Sequence, residues 1–596
     1  MRKISFVVAC LLFFCEARSQ AWQPVAGTLT TRWAADVSAT NAHAEYPTPQ
    51  HVRTQWKNLN GLWDYAIRPV FEEPAAWDGR ILVPYPVESA LSGVKKKPGA
   101  AGVLWYHHTF TIPESWKQQH VILHFEAVNW ESKVWVNGKE LGTHRGGYDA
   151  FSFDITGALR RDGAQQITIS AWNPADAGYQ PNGKQYNDPR GIWYTASSGI
   201  WQTVWLEAEP ENPLPDFVLT PDIHSEDLQV RFPHHAGYEA YTVELSAYDH
   251  EKKAGTVSGP LNGTLNLHIP HARRWSPSDP FLYDLILVLK KDGKKADEVK
   301  SYFGMRNVSL QKDASGIMRL ALNDAPLFQI GPLDQGFWPD GLYTAPTDEA
   351  LKFDIATEKD MGFNVIRKHV KVEPQRWYYW CDKLGMLVWQ DMPSGDRHIE
   401  PKDPDIRRTA QSEQQYRYEL KEMIAQHINH PSIVTWVTFN EGWGQFRTAE
   451  IAQFAKSLDP SRWVDATSGW SDRKTSDMVD DHSYPGPDMF PTEPGRASVE
   501  GEFGGQALQV NGHLWVNDLS RAPNHYLTSA TQSALQEKYR TLIDSVLVLK
   551  RKGLSAAIYT QTTDVESELN GLMTYDRAVI KMDKAWLKEI NSRLYK

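Results

Sequence analysis

Hydrophobic and polar positions change rhythm near residue 310. Before it, short runs alternate with period two, as in Val121-Ile122-Leu123-His124-Phe125, Ile167–Trp172 and Gln202–Glu207. That period sends successive side chains to opposite faces of a strand. Lys133-Val134-Trp135-Val136 runs into Asn137-Gly138 and then Lys139-Glu140-Leu141-Gly142. Strand, Asn-Gly turn, strand is the order of a β-hairpin. Many short strands with almost no helical periodicity predict a β-sandwich over residues 20–211. Pro210, Pro213 and Pro215 mark a linker. Tyr241–Tyr248 and Leu282–Leu289 alternate again, the latter before an Asp292-Gly293 turn. This stretch, 212–310, fits a small immunoglobulin-like sandwich.

After Leu310, apolar strands alternate with helical patterns, which implies parallel βα units. The predicted strands are Leu327–Gly331, Asn364–His369, Leu387–Asp391, Ile433–Asn440, Trp463–Ser468, Met478–Ser483, Ser498–Glu502 and Ala556–Thr560. Pro374 opens a helix whose Trp377, Trp380, Cys381 and Leu384 recur at helical spacing, and Gly385 closes it. A second helix runs through Tyr416, Leu420, Met423, Ile424 and His427 and stops before Pro431. Eight βα units over 311–596 predict a (β/α)8 barrel.

Composition narrows the function. The 596 residues suit several domains. A net charge of −10 excludes a general nucleic-acid footprint. The 24 tryptophans suit a core, and also a cleft that takes sugars, because the indole face is wide and rigid. Met1-Arg2-Lys3, the apolar Ile4–Cys15 and the Ala17-Arg18-Ser19 site read as a secretory leader over 1–19. An exported protein, periplasmic or secreted and bacterial in type, is expected. Cys381 then remains as a lone cysteine, so no disulfide is expected. No later run is long and apolar enough to span a membrane. The oligomeric state is left open.

The chemistry gathers at strand ends. Ile433–Phe439 is apolar and then breaks into Asn440-Glu441-Gly442-Trp443-Gly444. Asn and Glu are poor strand formers, and the C-terminal mouth of barrel strands is where such folds keep their active groups. The seventh strand ends likewise, in Glu500-Gly501-Glu502-Phe503-Gly504-Gly505. A barrel would bring Glu441 and Glu502 over one pit, and paired carboxylates are what glycoside hydrolysis needs. Glu500 competes with Glu502 but should lie one layer deeper.

These motifs together resemble glycoside hydrolase family 2, the β-galactosidases, β-glucuronidases and β-mannosidases. Trp135–Lys139, Gly146–Phe151 and Ser198–Leu206 resemble the family's sugar-binding jelly roll, and Tyr302–Arg306 its lead-in to the barrel. Phe439–Gly442 resembles its acid/base strand and Gly501–Gly505 its nucleophile strand. The resemblance implies a retaining double displacement, with Glu502 as nucleophile and Glu441 as general acid and then base. It implies Asn440 on the sugar 2-hydroxyl, Arg367 orienting the nucleophile and Tyr484 bonding it. Further candidate sugar contacts are His369, Asp391, Trp443, Trp470 and His482, with Trp515 beside them; each of these also suits packing. No metal is expected: His107-His108 and the scattered acids form no site, although a divalent ion is left open because relatives bind them. The Asn182–Tyr194 stretch could supply a loop over the pocket.

Two departures bear on the sugar. The family's Arg-x-x-His order is here Arg367-Lys368-His369, one place short. The Asn-x-Lys pair that reads a glucuronate carboxylate is missing after Glu502, where Gln506–Asn511 carries no cation. Arg367, Lys368, His369 and Lys371 crowd positive charge at one strand mouth, where it could meet an acidic or sulfated sugar or be structural. The expected function is an exo-acting β-glycosidase of oligosaccharides, β-galactosidase-like. The alternatives are a uronidase or arabinosidase on acidic plant or algal glycans, and a non-catalytic carbohydrate-binding protein.

Overall fold

The computed structural model describes residues 22–69, 71–523 and 526–595. The expected leader, 1–19, lies outside the described residues.

The first unit is a two-sheet antiparallel sandwich. One sheet orders Gly79–Val83, Gly61–Arg68, Val103–Phe110, Gln165–Trp172, Glu131–Val136 and Lys139–Arg145 side by side. The other orders Trp56–Asn58, Val204–Glu209, His120–Phe125 and Phe151–Asp154. Inward positions such as Trp63, Leu123, Val134, Ile169 and Leu206 form one buried cluster between the sheets. The Asn137-Gly138 hairpin is present, with both residues at positive φ as that turn demands. The second unit packs Val218–Asp222, Asp227–Arg231 and Leu265–His268 against Lys252–Pro260, Tyr241–Asp249, Tyr283–Lys291 and Lys294–Phe303. Its core includes Val243, Leu267, Leu287 and Val299.

The third unit is the parallel barrel. Its strands are β1 (Gln329–Asp334), β2 (Val365–Lys368), β3 (Leu387–Asp391), β4 (Ile433–Val437), β5 (Trp463–Asp465), β6 (Met478–Ser483), β7 (Ala497–Gly504) and β8 (Leu554–Thr560). Hydrogen bonds link them all in order except at the β5–β6 seam. There the loop before β6 closes the gap, Asp477 N donating to Val464 O at 3.0 Å. A small sheet, Val308–Lys312, Met318–Leu322 and Ala325–Pro326, packs Leu320 and Leu322 into the same cluster as Val365, Val434 and Val499 of the barrel strands.

Among the described residues, six α-helices accompany the strands: α1 (Asp348–Asp360), α2 (Gln375–Leu384), α3 (Ala410–His427), α4 (Thr448–Leu458), α5 (Gln532–Lys552) and α6 (Lys584–Ser592). Capping follows side-chain chemistry. The hydroxyls of Thr347, Thr409 and Thr531 accept from the third backbone N–H beyond them at α1, α3 and α5, and the Asp583 carboxylate does so at α6. Gly385 ends α2 with φ +73°. The expectation of eight complete βα units is corrected. No helix follows β5 or β6, because 466–477 is short and turn-rich and 484–496 carries Pro485, Pro487, Pro491 and Pro494, which cannot sit in a helix interior. Cys381 is buried and unbonded. Among the described residues no helix is long and apolar enough to cross a membrane.

Candidate active site

β4 stops at Val437 and the chain continues extended beside β5, Thr438 N donating to Asp465 O and Glu441 N to Ser468 O, each at 2.9 Å. Glu441 then turns at φ +47°, a conformation that costs a non-glycine residue free energy. The turn lifts its carboxylate to the mouth of the barrel, partly exposed. On the far side, β7 carries register shifts around Glu500. Glu502 ends in the pit, whereas Glu500 accepts from Ser483 N at 3.0 Å, toward the β6 loop. The other Glu500 oxygen is buried without a hydrogen-bond partner, and burial, helped by the charges on Asp481 and Asp480, pushes its carboxyl well above the usual range.

His482, from β6, bridges the two carboxylates. Its Nδ1 lies 3.0 Å from Glu441 Oε1 and 3.7 Å from Glu502 Oε1. Its Nε2 meets Ser468 Oγ at 2.8 Å. One ligand-type atom from each of Glu441, His482 and Glu502 lies within 4.8 Å of the others, which makes this the one group among the described residues able to hold a metal ion. The same three groups suit proton transfer.

Glu502 is held from two sides. Arg367 Nη1 donates to Oε1 at 3.3 Å, and the Tyr484 hydroxyl to Oε2 at 2.7 Å. Arg367, fully buried at the end of β2, is itself gripped by Asp391 through Nε at 3.1 Å and Nη2 at 2.9 Å. Nη2 also donates to Asn440 Oδ1 at 2.7 Å. Asn440 Nδ2 is buried with no partner. Asp391 further contacts His369 Nδ1 at 3.1 Å. With both oxygens engaged and 1% exposure, Asp391 positions Arg367 and His369 and is not free to meet sugar hydroxyls.

Electrostatics follow from burial and these partners. Burial pushes the Glu441 carboxyl up, but the His482 hydrogen bond and the His482, Lys184 and Arg367 charges outweigh it, and the net shift is downward. Burial, with the Lys184 charge, drives His369 well below its ordinary value, so it is neutral. Burial and the Glu502 charge raise the Tyr484 phenol, which keeps its proton to donate.

The candidate charge cluster separates. Lys368 is paired with Asp334 and with Glu373 at 2.8 Å. Lys371 donates to Gly336 O, Tyr343 O and Glu373 Oε1 at 2.6–2.9 Å. Both are buried and paired within the protein. Trp443 lies edge-on to His369 at 5.9 Å, and Trp470 to His482 at 5.8 Å with its Nε1 buried and unpaired. Trp515 packs against Tyr575. Three contributors carried no sequence signal of their own. Ser468 seats His482. Thr560 Oγ1 meets the Tyr484 hydroxyl at 2.7 Å. Trp193, from the sandwich, tilts onto Trp443 at 4.8 Å.

Family models agree with this architecture. Residues 80–210 match the sugar binding domain of glycosyl hydrolases family 2, 214–306 its central domain and 345–490 its TIM barrel domain. The chain belongs to glycoside hydrolase family 2. A β-glucuronidase of Bacteroides fragilis is 26% identical over 69% of this chain and 61% of its own. A β-galactosidase of Thermoanaerobacter pseudethanolicus is 26% identical over 60% of this chain and 48% of its own. The chain thus spans only about half to three fifths of these curated relatives. The solved β-glucuronidase of Ruminococcus gnavus superposes with a TM-score of 0.71 at 19% identity, over 93% of this chain and all of that one, which shows the family 2 fold.

Proposed function

We propose that this family 2 member is an exo-acting β-glycosidase that works with retention, releasing terminal non-reducing sugars from oligosaccharides. The observation that carries the reading is a Glu441 oxygen and a Glu502 oxygen within 4.8 Å, bridged by one histidine. Retaining enzymes hold their carboxyl groups about 5–5.5 Å apart, and inverting ones about 6.5–9.5 Å, to admit a water.

In the first step Glu502 attacks the anomeric carbon, the glycosidic C–O bond breaks, and the leaving oxygen takes the Glu441 proton. In the second, water gives a proton to Glu441 and attacks the same carbon, which frees Glu502. Arg367 and Tyr484 hold the two Glu502 oxygens in line. The unpaired Asn440 Nδ2 is oriented to donate to the sugar 2-hydroxyl, an interaction that strengthens in the transition state. Glu441 is held low in the open site, which suits the base step. A sugar that displaces water from it raises it toward the acid form. The wall of Trp443, Trp193 and the Asn182–Tyr194 loop supports action at chain ends. The leader-like residues 1–19 support export to the periplasm or medium.

The sequence favours β-galactosides, and named relatives include both galactosidases and glucuronidases. One observation favours the acidic alternative, an unpaired cation described below. Proton NMR of the first product from an aryl β-glycoside tests the mechanism. A β-configured sugar is expected, and an α-configured one would overturn retention. Glu441→Gln should cost about 10²–10⁴-fold with poor leaving groups. Unchanged turnover in Glu441→Gln and Glu502→Gln would overturn the assignment of the pair.

A further inference from the structure

One cation at the site has no counter-ion. Lys184 comes from the N-terminal sandwich, not the barrel, and is 5% exposed. Among the described residues no acceptor lies within hydrogen-bonding reach of its Nζ and no carboxylate within ion-pairing reach. Its neighbours are aromatic: Nζ lies 5.3 Å from the Tyr194 ring centre and 5.8 Å from that of Trp443. Its charge reaches both Glu441 and His369. Lys184 therefore points into the pit, between the Trp443 wall and the acid/base carboxylate.

The backbone holds it there. Asn182 N and Gly183 N both donate to Ser394 O, beyond β3, at 2.8 Å. Gly183 turns at φ +58°, and a Cβ on it would stand 2.4 Å from Val370 O, beyond β2. Tyr194 N donates to Lys184 O at 2.9 Å, and Gln185-Tyr186 pairs in parallel with Tyr194-Thr195. Thr195 N donates to Glu566 Oε1 at 2.8 Å, the Tyr194 hydroxyl to Glu568, and Ser567 Oγ to Gly191 O at 3.3 Å. The lysine is pinned across three barrel loops before any sugar arrives.

The stem is buried, and a charge held in place without an ion pair among the described residues is suited to a ligand that neutralises it. The other cations near the pit are spent: Arg367 on Asp391 and Glu502, Lys368 on Asp334 and Glu373, Lys371 on Glu373. We propose that Lys184 reads an anionic substituent, a carboxylate or a sulfate ester, on the sugar held at this site. Resting on the glycosidase reading above, this narrows the substrate to acidic β-glycosides and makes the sandwich domain the source of that selectivity.

The test is a panel of 4-nitrophenyl β-glycosides: glucuronide, galacturonide, 6-sulfated galactoside, and the neutral glucoside and galactoside. Wild type should favour at least one acidic member over its neutral parent by about 10²-fold or more. Lys184→Gln should lose about 10²–10³-fold on that member, the cost of removing one partner of a desolvated charge pair, while changing neutral turnover less than threefold. Lys184→Arg should restore part of the loss. Which acidic member wins tells carboxylate from sulfate. Equal or faster turnover of the neutral parents would overturn the proposal, as would an equal loss on both classes, which would leave Lys184 merely tuning Glu441. If nothing in the panel turns over, the glycosidase reading fails, and calorimetry with glucuronate, galacturonate and galactose 6-sulfate then decides. Binding lost in Lys184→Gln supports the role of Lys184, and no binding overturns it. Lys184→Met should melt no lower than wild type, since it keeps the buried stem and breaks no ion pair among the described residues, so loss of folding cannot mimic the effect.

Discussion

Arg367 fixes which way the Asn440 amide turns: its Nη2 donates to Asn440 Oδ1 at 2.7 Å, and the amide nitrogen is left buried with no hydrogen-bond partner. An unpaired buried donor costs about 1–3 kcal/mol, which a substrate hydroxyl would recover. Asn440→Ala should therefore lower kcat/KM about 10²-fold, some 2.7 kcal/mol of transition-state stabilisation. On a 2-deoxyglycoside, which lacks the acceptor, the same substitution should cost less than threefold. An equal loss on both substrates would show that Asn440 serves only to hold Arg367.

His482 sets the proton affinity of Glu441. Its hydrogen bond and charge are the largest influences that draw the Glu441 carboxyl down against the upward push of burial. On the proposed mechanism the free enzyme needs Glu441 protonated for the first step, so its pKa would govern the alkaline limb of kcat/KM. Without His482 burial dominates and that pKa rises. His482→Asn should move the alkaline limb of the kcat/KM profile to higher pH. A limb that stays in place, or shifts to lower pH, would separate His482 from the acid function.

Glu500 and Glu502 should respond in opposite ways to the same substitution. The folded Glu500 carboxyl is raised well above its ordinary value, while the unfolded one titrates near that value. Between the two, the folded state holds more protons, so stability falls as pH rises. Glu500→Gln removes that loss. Its melting temperature should exceed that of wild type at pH 8, with the advantage shrinking toward pH 4, and its turnover should stay within threefold. Glu502→Gln should abolish turnover. Activity lost at 500 and kept at 502 would exchange the two assignments.

The meeting of Glu441 and Glu502 was legible because both carboxylates break apolar strands at their C-terminal ends, where a barrel has only its mouth to offer them. The strands themselves were legible from length and apolar content, though β1 runs on to Asp334, past the predicted Gly331. The two missing helices were misjudged by assuming that the βα rhythm persists, although four prolines in 484–496 argued against it. The fate of the cations was not legible. Lys368 and Lys371 look alike beside Arg367 in the sequence; Glu373, which both engage, lies in the same segment, but Asp334 and Gly336 come from the end of β1 and the turn after it. Lys184 carried the weakest signal of all. The Asn182–Tyr194 stretch was expected over the pocket, but nothing in it singled out a lysine more than 250 positions from Glu441.

The loop from Asn182 to Tyr194 separates two kinds of inheritance. Among the described residues, the groups seen to hold Glu502, Arg367, His369, His482 and Tyr484, are all encoded after residue 366, and the loop that overhangs them before residue 195. A recombination event or a designed graft that exchanged the sandwich for a cousin's would bring a new ceiling to an unchanged reaction centre. On the proposed function, such a chain would vary what it accepts without rewriting how it cuts.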